Sequence, residues 1–361
     1  MVQAAMMHAP MILATAVQPE AHLMLALAVL ACGACVSALL TGLARHYALR
    51  RELIDHPGQR RNHAIPTPRG GGIGPVMVLL GGGTLLAATD PQSRPILATF
   101  LIGLGMVAGI GWLDDHRPLP AWLRLIVHLG AAAAISIALI GMPHDPLQCV
   151  VIALSTMMVA GLANAWNFMD GIDGIAASQA GLVAIILLVG GVFAGGWLAG
   201  AWWFLGWLLL AAMLGFLPFN IPRARIFLGD VGSGAIGFAV ASLLLRAVVA
   251  GRLPWPLALL PISAFLVDAG MTLSSRILGG KPWWRPHREH LYQWLVRSGY
   301  THLQVTRWYA LWTLAAGGLA VASARCGATV AALVAIGALS CATLLWMWSR
   351  NRLWIAARHR R

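Results

Sequence analysis

The chain has 361 residues, of which 59% are hydrophobic and only 10% carry a charged side chain. Soluble domains carry about 25% charged residues, and apolar runs of about 20 residues recur along this sequence, so a soluble globular protein is excluded. The net charge of +13 would suit a nucleic-acid partner, but the basic residues lie in the segments between the apolar runs. That distribution is typical of membrane topology, and no nucleic-acid partner is expected.

Eleven apolar runs predict eleven transmembrane helices. In chain order they cover about 22–44, 70–89, 95–113, 120–141, 147–163, 178–197, 199–219, 232–250, 253–273, 307–324 and 327–349. Most of the 25 Lys and Arg residues lie on one side of these spans, which the positive-inside rule makes cytoplasmic. The sequence therefore predicts an all-α, polytopic bundle of about 11 transmembrane helices in one domain, 1–361, with a periplasmic N-terminus and a cytoplasmic C-terminus.

The first loop on the basic side, residues 45–69, is rich in arginine and proline and ends beside the glycines at 70–72. Its prolines oppose a continuous helix. Two interpretations stay open for His63 and Arg69: they meet a phosphate group, or they belong to the positive charge that orients the chain. Both are candidate substrate-binding residues.

Asp114 and Asp115 are adjacent carboxylates in the turn GWLDD, at the end of the third predicted span. Each carboxylate raises the proton affinity of the other unless a cation is close by. Neighbouring positions on a helix point about 100° apart, so one side chain could bind a metal while the other faces a second partner. The alternative interpretation is solvation of a helix end.

A polar stripe interrupts the apolar sequence at 161–177, where Asn164, Asn167, Asp170 and Asp173 recur every three residues. On a helix this spacing keeps the four side chains near one face. Carboxylates at the edge of hydrocarbon are costly and are functional candidates by default. The alternative is a polar turn between two membrane helices.

Asp230 lies in the sequence GDVGS, where the eighth predicted span begins. Its glycine neighbours let backbone N–H groups approach an anion, although a plain N-cap is an alternative role. Asp268, near the end of the ninth span, either positions the following loop or pairs with a basic residue such as Arg276. The basic residues of that loop suit a diphosphate and are Lys281, Arg285, His287, Arg288, His290 and Arg297.

The topology places five aspartates from three loops on one side of the membrane, and these are Asp114, Asp115, Asp170, Asp173 and Asp230. Oxygen ligands with basic surroundings suit Mg²⁺, which binds through a few carboxylates, waters and substrate phosphates. Phosphoryl transfer needs a metal and cations to neutralise phosphate oxygens. The sequence therefore predicts a phosphotransferase with a phosphorylated lipid as one substrate.

Four sequences resemble one known family in their order along the chain: PTPRGGG, GWLDD, NAWNFMDGIDGIAA and FLGDVGSGAIGF. The family is that of the polyprenyl-phosphate N-acetylhexosamine-1-phosphate transferases, and the resemblance covers about residues 45–300. It implies ten or eleven membrane helices, Mg²⁺ (with Mn²⁺ as an alternative), and transfer of a sugar 1-phosphate from a UDP-sugar to undecaprenyl phosphate with release of UMP. It also implies a bacterial inner-membrane enzyme with its active site on the cytoplasmic face; a homodimer is compatible with it.

Residue roles follow from the resemblance, motif by motif. The catalytic candidates are Asp114, Asp115 and His290. The metal candidates are Asp115, Asp230 and Asn167. The candidates for binding the nucleotide, sugar or phosphate are Asn167, Asp170, Asp173, Phe227, His63, Arg69 and Arg288.

Two positions depart from the common family pattern. After His290 the chain reads Leu-Tyr-Gln, where many members have more histidines. This form resembles enzymes that initiate lipopolysaccharide O-antigen with deoxy-N-acetylhexosamines, and it puts a plain UDP-GlcNAc donor in doubt. His63 stands where the peptidoglycan translocase of the family has a lysine, so that branch is not expected.

The mechanism and the protein class both leave alternatives open. The lipid phosphate either attacks the donor's β-phosphorus directly or receives the sugar phosphate from a phospho-aspartate on Asp114. A CDP-alcohol phosphotransferase is a rival enzyme class, although GDVGS is not part of its motif. A transporter is a non-enzymatic rival, but transport sites lie near the midplane between repeats rather than at span ends.

Overall fold

The computed structural model describes residues 19–55, 66–193, 200–282 and 287–358. Within these ranges it contains 13 helices and two short strands. The helices are α1 Pro19–Arg50, α2 Ile73–Thr89, α3 Arg94–His116, α4 Ala121–Ile140, α5 Pro146–Met169, α6 Ile175–Phe193, α7 Ala201–Asn220, α8 Gly229–Val249, α9 Trp255–Ala258, α10 Ser263–Leu278, α11 Leu291–Arg297, α12 His302–Ser323 and α13 Ala328–Arg358. The strands are β1 Ile54–Asp55 and β2 Thr67–Pro68, which pair antiparallel.

The predicted all-α architecture is confirmed, because each of the eleven predicted spans overlaps a helix. Among the described residues, seven helices are long and apolar enough to cross a membrane: α1, α3, α4, α5, α7, α8 and α13. Helices α2 and α6 are shorter apolar helices, and the ninth predicted span is divided between α9 and α10. The number of helices that cross the bilayer and the orientation of the termini stay predictions.

Helix α8 lies at the centre of the bundle, and nearly all of its side chains are buried. It packs against α3 and α5, where Phe238 stacks on Phe100 with 5.9 Å between ring centroids. Small residues let the backbones approach closely. A Cβ atom on Gly237 would lie 2.8 Å from the carbonyl oxygen of Leu162. Close approach through small residues is the usual means of packing helices in membranes, where lipid is as apolar as the side chains.

Gly111 on α3 makes the closest of these approaches at the beginning of α8. A Cβ atom there would overlap the backbone of Asp230 and lie 2.7 Å from the nitrogen of Val231. Gly109, one half-turn earlier, is exposed and has nothing within 4 Å of its Cβ position. The two glycines therefore form a matched pair on one helix.

We expect Gly111→Ala to displace the start of α8 and to destabilise the protein by about 1–3 kcal/mol, the usual cost of overpacking. Gly109→Ala is the control and should leave the unfolding temperature unchanged or slightly higher, because alanine is the better helix former. Thermal unfolding of the two variants in the same detergent measures this difference. Equal unfolding temperatures of the two variants would show that the start of α8 can shift to make room for a Cβ atom on residue 111.

The segment before α2 lies beside the segment before α8. Gly71 N–H donates to the carbonyl oxygen of Phe227 (2.8 Å), and Gly72 N–H donates to that of Leu228 (2.9 Å). In return, Phe227 N–H donates to the carbonyl oxygen of Pro68 (2.9 Å). These bonds bring two of the sequence motifs, PTPRGGG and FLGDVGS, together at one face of the bundle.

Candidate active site

Asp115 holds the beginning of α8 in place. Its side chain is buried, with 2% of the residue exposed. The N–H of Asp230 donates to Oδ1 (3.1 Å) and the N–H of Val231 donates to Oδ2 (3.0 Å). Both carboxylate oxygens thus cap a helix N-terminus that lies 115 residues further along the chain, where a negative charge is favoured. Asp115 therefore fixes the position of the neighbouring Asp230.

Arg69, a predicted substrate-binding residue, contacts the same aspartate. Its Nη2 donates to the backbone carbonyl oxygen of Asp115 (2.5 Å), and its Nε lies 3.9 Å from Oδ1. The Arg69 side chain is 29% exposed, so part of the guanidinium is open to a ligand. His63, the other candidate from this loop, lies outside the described residues.

Arg124, in the first turns of α4, joins two of the predicted carboxylates. Its Nη1 donates to Asp114 Oδ2 (2.7 Å) and lies 3.5 Å from Asp230 Oδ2. The other Asp114 oxygen, Oδ1, accepts the N–H of Leu119 (2.6 Å). Asp114 and Asp230 therefore lie on either side of one guanidinium, and three segments of the chain meet there.

Asn167 lies on the other side of Asp230. Its Nδ2 donates to Asp230 Oδ1 and also to the hydroxyl of Ser233 (2.9 Å). Only Asn164 and Asn167 of the predicted stripe are helical, because α5 ends at Met169. Asp170 and Asp173 lie in the turn that follows, so the prediction of one continuous helical stripe was wrong for them.

Asp170 is the carboxylate with the most unfavourable surroundings in this turn. Burial first, and then the charges of Asp230, Asp115 and Asp173, together raise its pKa to about 8. Carboxylates held close together in a poorly solvated site are suited to a divalent cation, which would offset their repulsion. Among the described residues, no three His, Cys, Asp or Glu side chains form a ready-made metal site. A site of one or two carboxylates completed by substrate phosphates is consistent with this finding.

This shift predicts a pH dependence for the protein without divalent cations. Because the folded pKa of Asp170 is raised, folding stability should fall as the pH rises from about 4 to about 8 and change little above that. Asp170→Asn should flatten this dependence and raise the unfolding temperature at pH 8. Thermal unfolding from pH 5 to 9 with a chelator present measures it. An unchanged slope in the variant would contradict the assignment.

Asp173 holds the turn to two other parts of the chain. Its Oδ2 accepts the N–H of Ala224 (3.2 Å), and its Oδ1 lies 3.1 Å from Nδ1 of His302. The hydroxyl of Thr306 on α12 donates to the Asp173 carbonyl oxygen (2.9 Å). Its role in binding the nucleotide stays a prediction. The observed contacts position the turn that carries Asp170.

A second group of polar residues surrounds α11 and is organised by Asp268, which is 1% exposed. Asp268 accepts the N–H groups of Leu291 (2.8 Å) and Tyr292 (3.4 Å), and so caps α11. Arg276 does not pair with it but with Glu289 (2.7 Å). Of the two roles left open by the sequence, the structure shows the positioning role.

Tyr292 connects α11 with the end of α5. Its hydroxyl donates to the carbonyl oxygen of Phe168 (3.0 Å), and its ring lies against Gly171, where a side chain would overlap it. His290 stacks on the Phe168 ring, with 6.4 Å between centroids. These contacts place His290 beside the turn that contains Asp170.

His287 and His290 are expected to be neutral at pH 7. Burial, with a smaller contribution from the neighbouring His290 and Arg276, lowers the pKa of His287 to about 4. Burial also lowers the pKa of His290, although Asp268 opposes the shift. Lys281 is paired with Glu289 (3.1 Å). The predicted cationic surface for a diphosphate is therefore reduced. Arg285 lies outside the described residues, and half-buried Arg288 and exposed Arg297 are the remaining candidates among those described.

Several known proteins are similar to this chain over most of its length. A family model described as glycosyl transferase family 4 matches residues 97–248. The chain is 27% identical over 279 residues to a probable undecaprenyl-phosphate N-acetylglucosaminyl 1-phosphate transferase of Bacillus subtilis, covering 73% of this chain and 75% of that protein. It is 26% identical over 313 residues to the decaprenyl-phosphate N-acetylglucosaminephosphotransferase of Mycobacterium tuberculosis H37Rv, covering 77% and 78%. A Salmonella typhimurium undecaprenyl-phosphate alpha-N-acetylglucosaminyl 1-phosphate transferase is 27% identical over 298 residues, covering 77% of each.

The family model and the names of the relatives support the polyprenyl-phosphate N-acetylhexosamine-1-phosphate transferase family. The matched span begins in α3 and ends in α8, so it contains the Asp114, Asp230 and Asn167 side chains that meet at Arg124 and Ser233. The resemblance found in the sequence motifs is confirmed.

Two residues of the candidate site are not identified by the sequence motifs. Arg124 belongs to none of them, although its place in the first turns of a span, soon after Asp114 and Asp115, is a signal that could identify it. Ser233 follows Asp230 by three residues, the spacing of one helix face, and this was the available signal. Phe227 is half-buried, and its backbone pairs with the segment before α2.

Proposed function

We propose that this protein transfers an N-acetylhexosamine or deoxy-N-acetylhexosamine 1-phosphate from a UDP-sugar to undecaprenyl phosphate and releases UMP. The relatives' names support the general reaction, since they are polyprenyl-phosphate N-acetylglucosamine 1-phosphate transferases. The observation that carries the proposal is the meeting of Asp114, Arg124 and Asp230 at helix ends of one face. The reaction would begin a lipid-linked envelope glycan, of which O-antigen is the branch favoured by the Leu-Tyr-Gln sequence after His290.

In the proposed reaction an oxygen of the lipid phosphate attacks the β-phosphorus of the UDP-sugar. A new P–O bond forms, the bond between the β-phosphorus and the bridging oxygen breaks, and UMP leaves with that oxygen. A phosphate monoester has a second pKa near 6, so the acceptor is largely dianionic at neutral pH and needs little help from a base. The protein must bring two anions together, and Arg124 and Arg288 are the cations placed to do so.

Mg²⁺, which the family implies, fits the donor set at Asp230. Asp230 and Asp170 would hold it through carboxylate oxygens, with Asn167 supplying an amide oxygen. The ion would supply neutralisation of phosphate charge. Asp115 was predicted as a further ligand, but its two oxygens both accept backbone N–H groups. We therefore assign Asp115 to positioning Asp230.

Direct attack is the route that the surroundings of Asp114 favour. Both of its oxygens are hydrogen-bonded, one to Arg124 and one to the N–H of Leu119, which lowers the nucleophilicity of the carboxylate. Incubation with a UDP-sugar labelled in the β-phosphate, without lipid, distinguishes the routes. Label retained on the protein after denaturation would support the phospho-aspartate route instead.

Arg124 provides a test of the charge at this site. Arg124→Leu should lower turnover by about 10²–10³-fold, the usual effect of removing one preorganised electrostatic contact to a transition state. Arg124→Lys keeps a cation and should retain more activity, although lysine cannot contact Asp114 and Asp230 together with a planar group. UMP release by both variants measures this. Equal activity of the leucine variant and the parent would remove Arg124 from the site.

A panel of donors tests the proposed substrates. Purified protein is incubated with Mg²⁺, undecaprenyl phosphate and, in separate reactions, UDP-GlcNAc, UDP-N-acetylfucosamine, UDP-N-acetylquinovosamine and UDP-MurNAc-pentapeptide. We expect UMP release with at least one of the first three and none with the last. CDP-diacylglycerol is the control for the rival enzyme class, and CMP release from it would contradict the proposal.

The orientation of the protein in the membrane is part of the same proposal. The active site would face the cytoplasm at the bacterial inner membrane, with the N-terminus in the periplasm, because the basic residues lie on the side of the aspartates. Single cysteines placed at Asp145 and Arg223, reacted with a membrane-impermeant reagent in intact cells, test this orientation. Labelling at Asp145 and protection at Arg223 is the expected pattern.

A further inference from the structure

A cavity of about 290 Å³ lies between α1, α2 and α3, apart from the meeting point of Asp114, Arg124 and Asp230. Its wall is largely apolar, and Leu43, Met77 and Trp112 are each more than 40% exposed at the surface of the bundle. In a membrane protein a surface of this kind faces lipid. The cavity therefore opens toward the acyl chains rather than toward water.

The inner end of the cavity is polar and basic. It is lined by Arg69, Tyr47 and His116, together with Asp115, whose carboxylate is occupied by the backbone N–H groups of α8. The Tyr47 hydroxyl lies 3.1 Å from Nε2 of His116, and the guanidinium of Arg51 lies 6.0 Å from the Tyr47 ring centroid. The Nε of Arg69 is buried without a hydrogen-bond partner. An apolar wall that ends in the partly exposed side chain of an arginine is complementary to a lipid with an anionic headgroup.

The polar end is also connected to the active site. Arg69 donates to the backbone of Asp115, and Asp115 caps α8 through the N–H groups of Asp230 and Val231. A phosphate that contacts the exposed part of the Arg69 side chain would hold the guanidinium in the orientation that contacts Asp115. A ligand in the cavity could therefore affect the position of Asp230 through two direct contacts, from Arg69 to Asp115 and from Asp115 to the start of α8.

We propose that the cavity between α1, α2 and α3 binds an anionic membrane phospholipid, distinct from the acceptor, and that this lipid raises turnover by fixing Arg69 and Asp115. The effect on turnover rests on the proposed transferase function; binding of the lipid does not. We assign a phospholipid rather than the acceptor because Arg124 and Asp230 do not line the cavity, and because the two oxygens of Asp115, which does line it, accept the N–H groups at the start of α8.

Two leucines of α1 supply a matched pair of variants. Leu43 lines the cavity and is 55% exposed, whereas Leu39, one turn earlier and 63% exposed, does not line it. Leu43→Trp should fill the cavity, and Leu39→Trp adds the same side chain to the lipid-facing surface. Met77→Trp fills the cavity from α2 as a second variant. The exposure of all three positions makes the substitutions compatible with folding, which size-exclusion chromatography checks.

Each protein is reconstituted in phosphatidylcholine nanodiscs with increasing phosphatidylglycerol. Native mass spectrometry measures retained phosphatidylglycerol, and UMP release measures turnover. We expect retention and a several-fold rise in turnover for the parent and Leu39→Trp. Leu43→Trp and Met77→Trp should lose both while keeping the turnover seen in phosphatidylcholine.

Three results would overturn the proposal. One is equal retention and activation in all four proteins, which would indicate a general effect of surface charge. Another is a parent that retains no phosphatidylglycerol. The third is displacement of the retained lipid by undecaprenyl phosphate, which would assign the cavity to the acceptor. If no donor gives UMP in any lipid, the proposed function fails, and the retention measurements still decide the lipid site.

Discussion

Asp230→Asn is expected to lower UMP release by about 10²–10³-fold or more without unfolding the protein. Asparagine has the same shape and keeps an oxygen that can accept from Asn167. What it loses is the negative charge that lies 3.5 Å from Arg124 and that would help to hold a divalent cation. The side chain is 27% exposed, so the substitution leaves no large buried defect.

The matched control is Asp145→Asn. Asp145 is an exposed aspartate that caps α5 through the N–H of Gln148 (2.7 Å), and asparagine caps helices equally well. Its turnover and unfolding temperature should equal those of the parent. If Asp230→Asn releases UMP at the rate of this control, Asp230 has no part in the chemistry.

Asp268→Ala is expected to destabilise the protein more than Gly111→Ala does. The carboxylate accepts hydrogen bonds from five groups in four helices, which are Leu291 N, Tyr292 N, Thr272 Oγ1, Tyr309 Oη and Trp346 Nε1. Each buried donor left without an acceptor costs about 1–3 kcal/mol before the structure relaxes. We therefore expect a net loss on the order of 3–5 kcal/mol.

The consequence for activity should follow from the same contacts. Without its cap, α11 would lose its attachment to α10, α12 and α13, and His290 would lose its place beside Phe168. Thermal unfolding in detergent gives the stability change, with Asp145→Ala as a control that removes only an exposed cap at about 1 kcal/mol. An Asp268→Ala protein that unfolds at the same temperature as this control would show that the Asp268 contacts contribute little.

The helices and the chemical class were accessible from the sequence because their signals are local. Apolar runs of about 20 residues define membrane helices wherever they occur, and each predicted span overlaps a helix. The acidic clusters at span ends also stand out locally, because carboxylates next to hydrocarbon are rare. For Asp114, Asp170 and Asp230, position at the end of a span was enough to make them candidates.

The partners of these carboxylates were not accessible, since they depend on contacts between distant segments. Nothing near Asp115 in sequence shows that its two oxygens cap α8, which begins more than 110 residues later. For the same reason the sequence could not decide whether Asp268 positions the following loop or pairs with a basic residue. The histidines illustrate a further limit: His287 and His290 look cationic in a basic loop, and only their burial in the folded protein favours the neutral form.

Transfer of a labelled β-phosphate tests the central claim most directly. The protein is incubated with Mg²⁺, undecaprenyl phosphate and the UDP-sugar that supports turnover, with ³²P only in the β-phosphate. We expect label in the lipid fraction, in an amount equal to the UMP released, and none in the nucleotide product. Label that stays in the water-soluble fraction while UMP is released would indicate hydrolysis of the donor and would contradict transfer to a lipid phosphate.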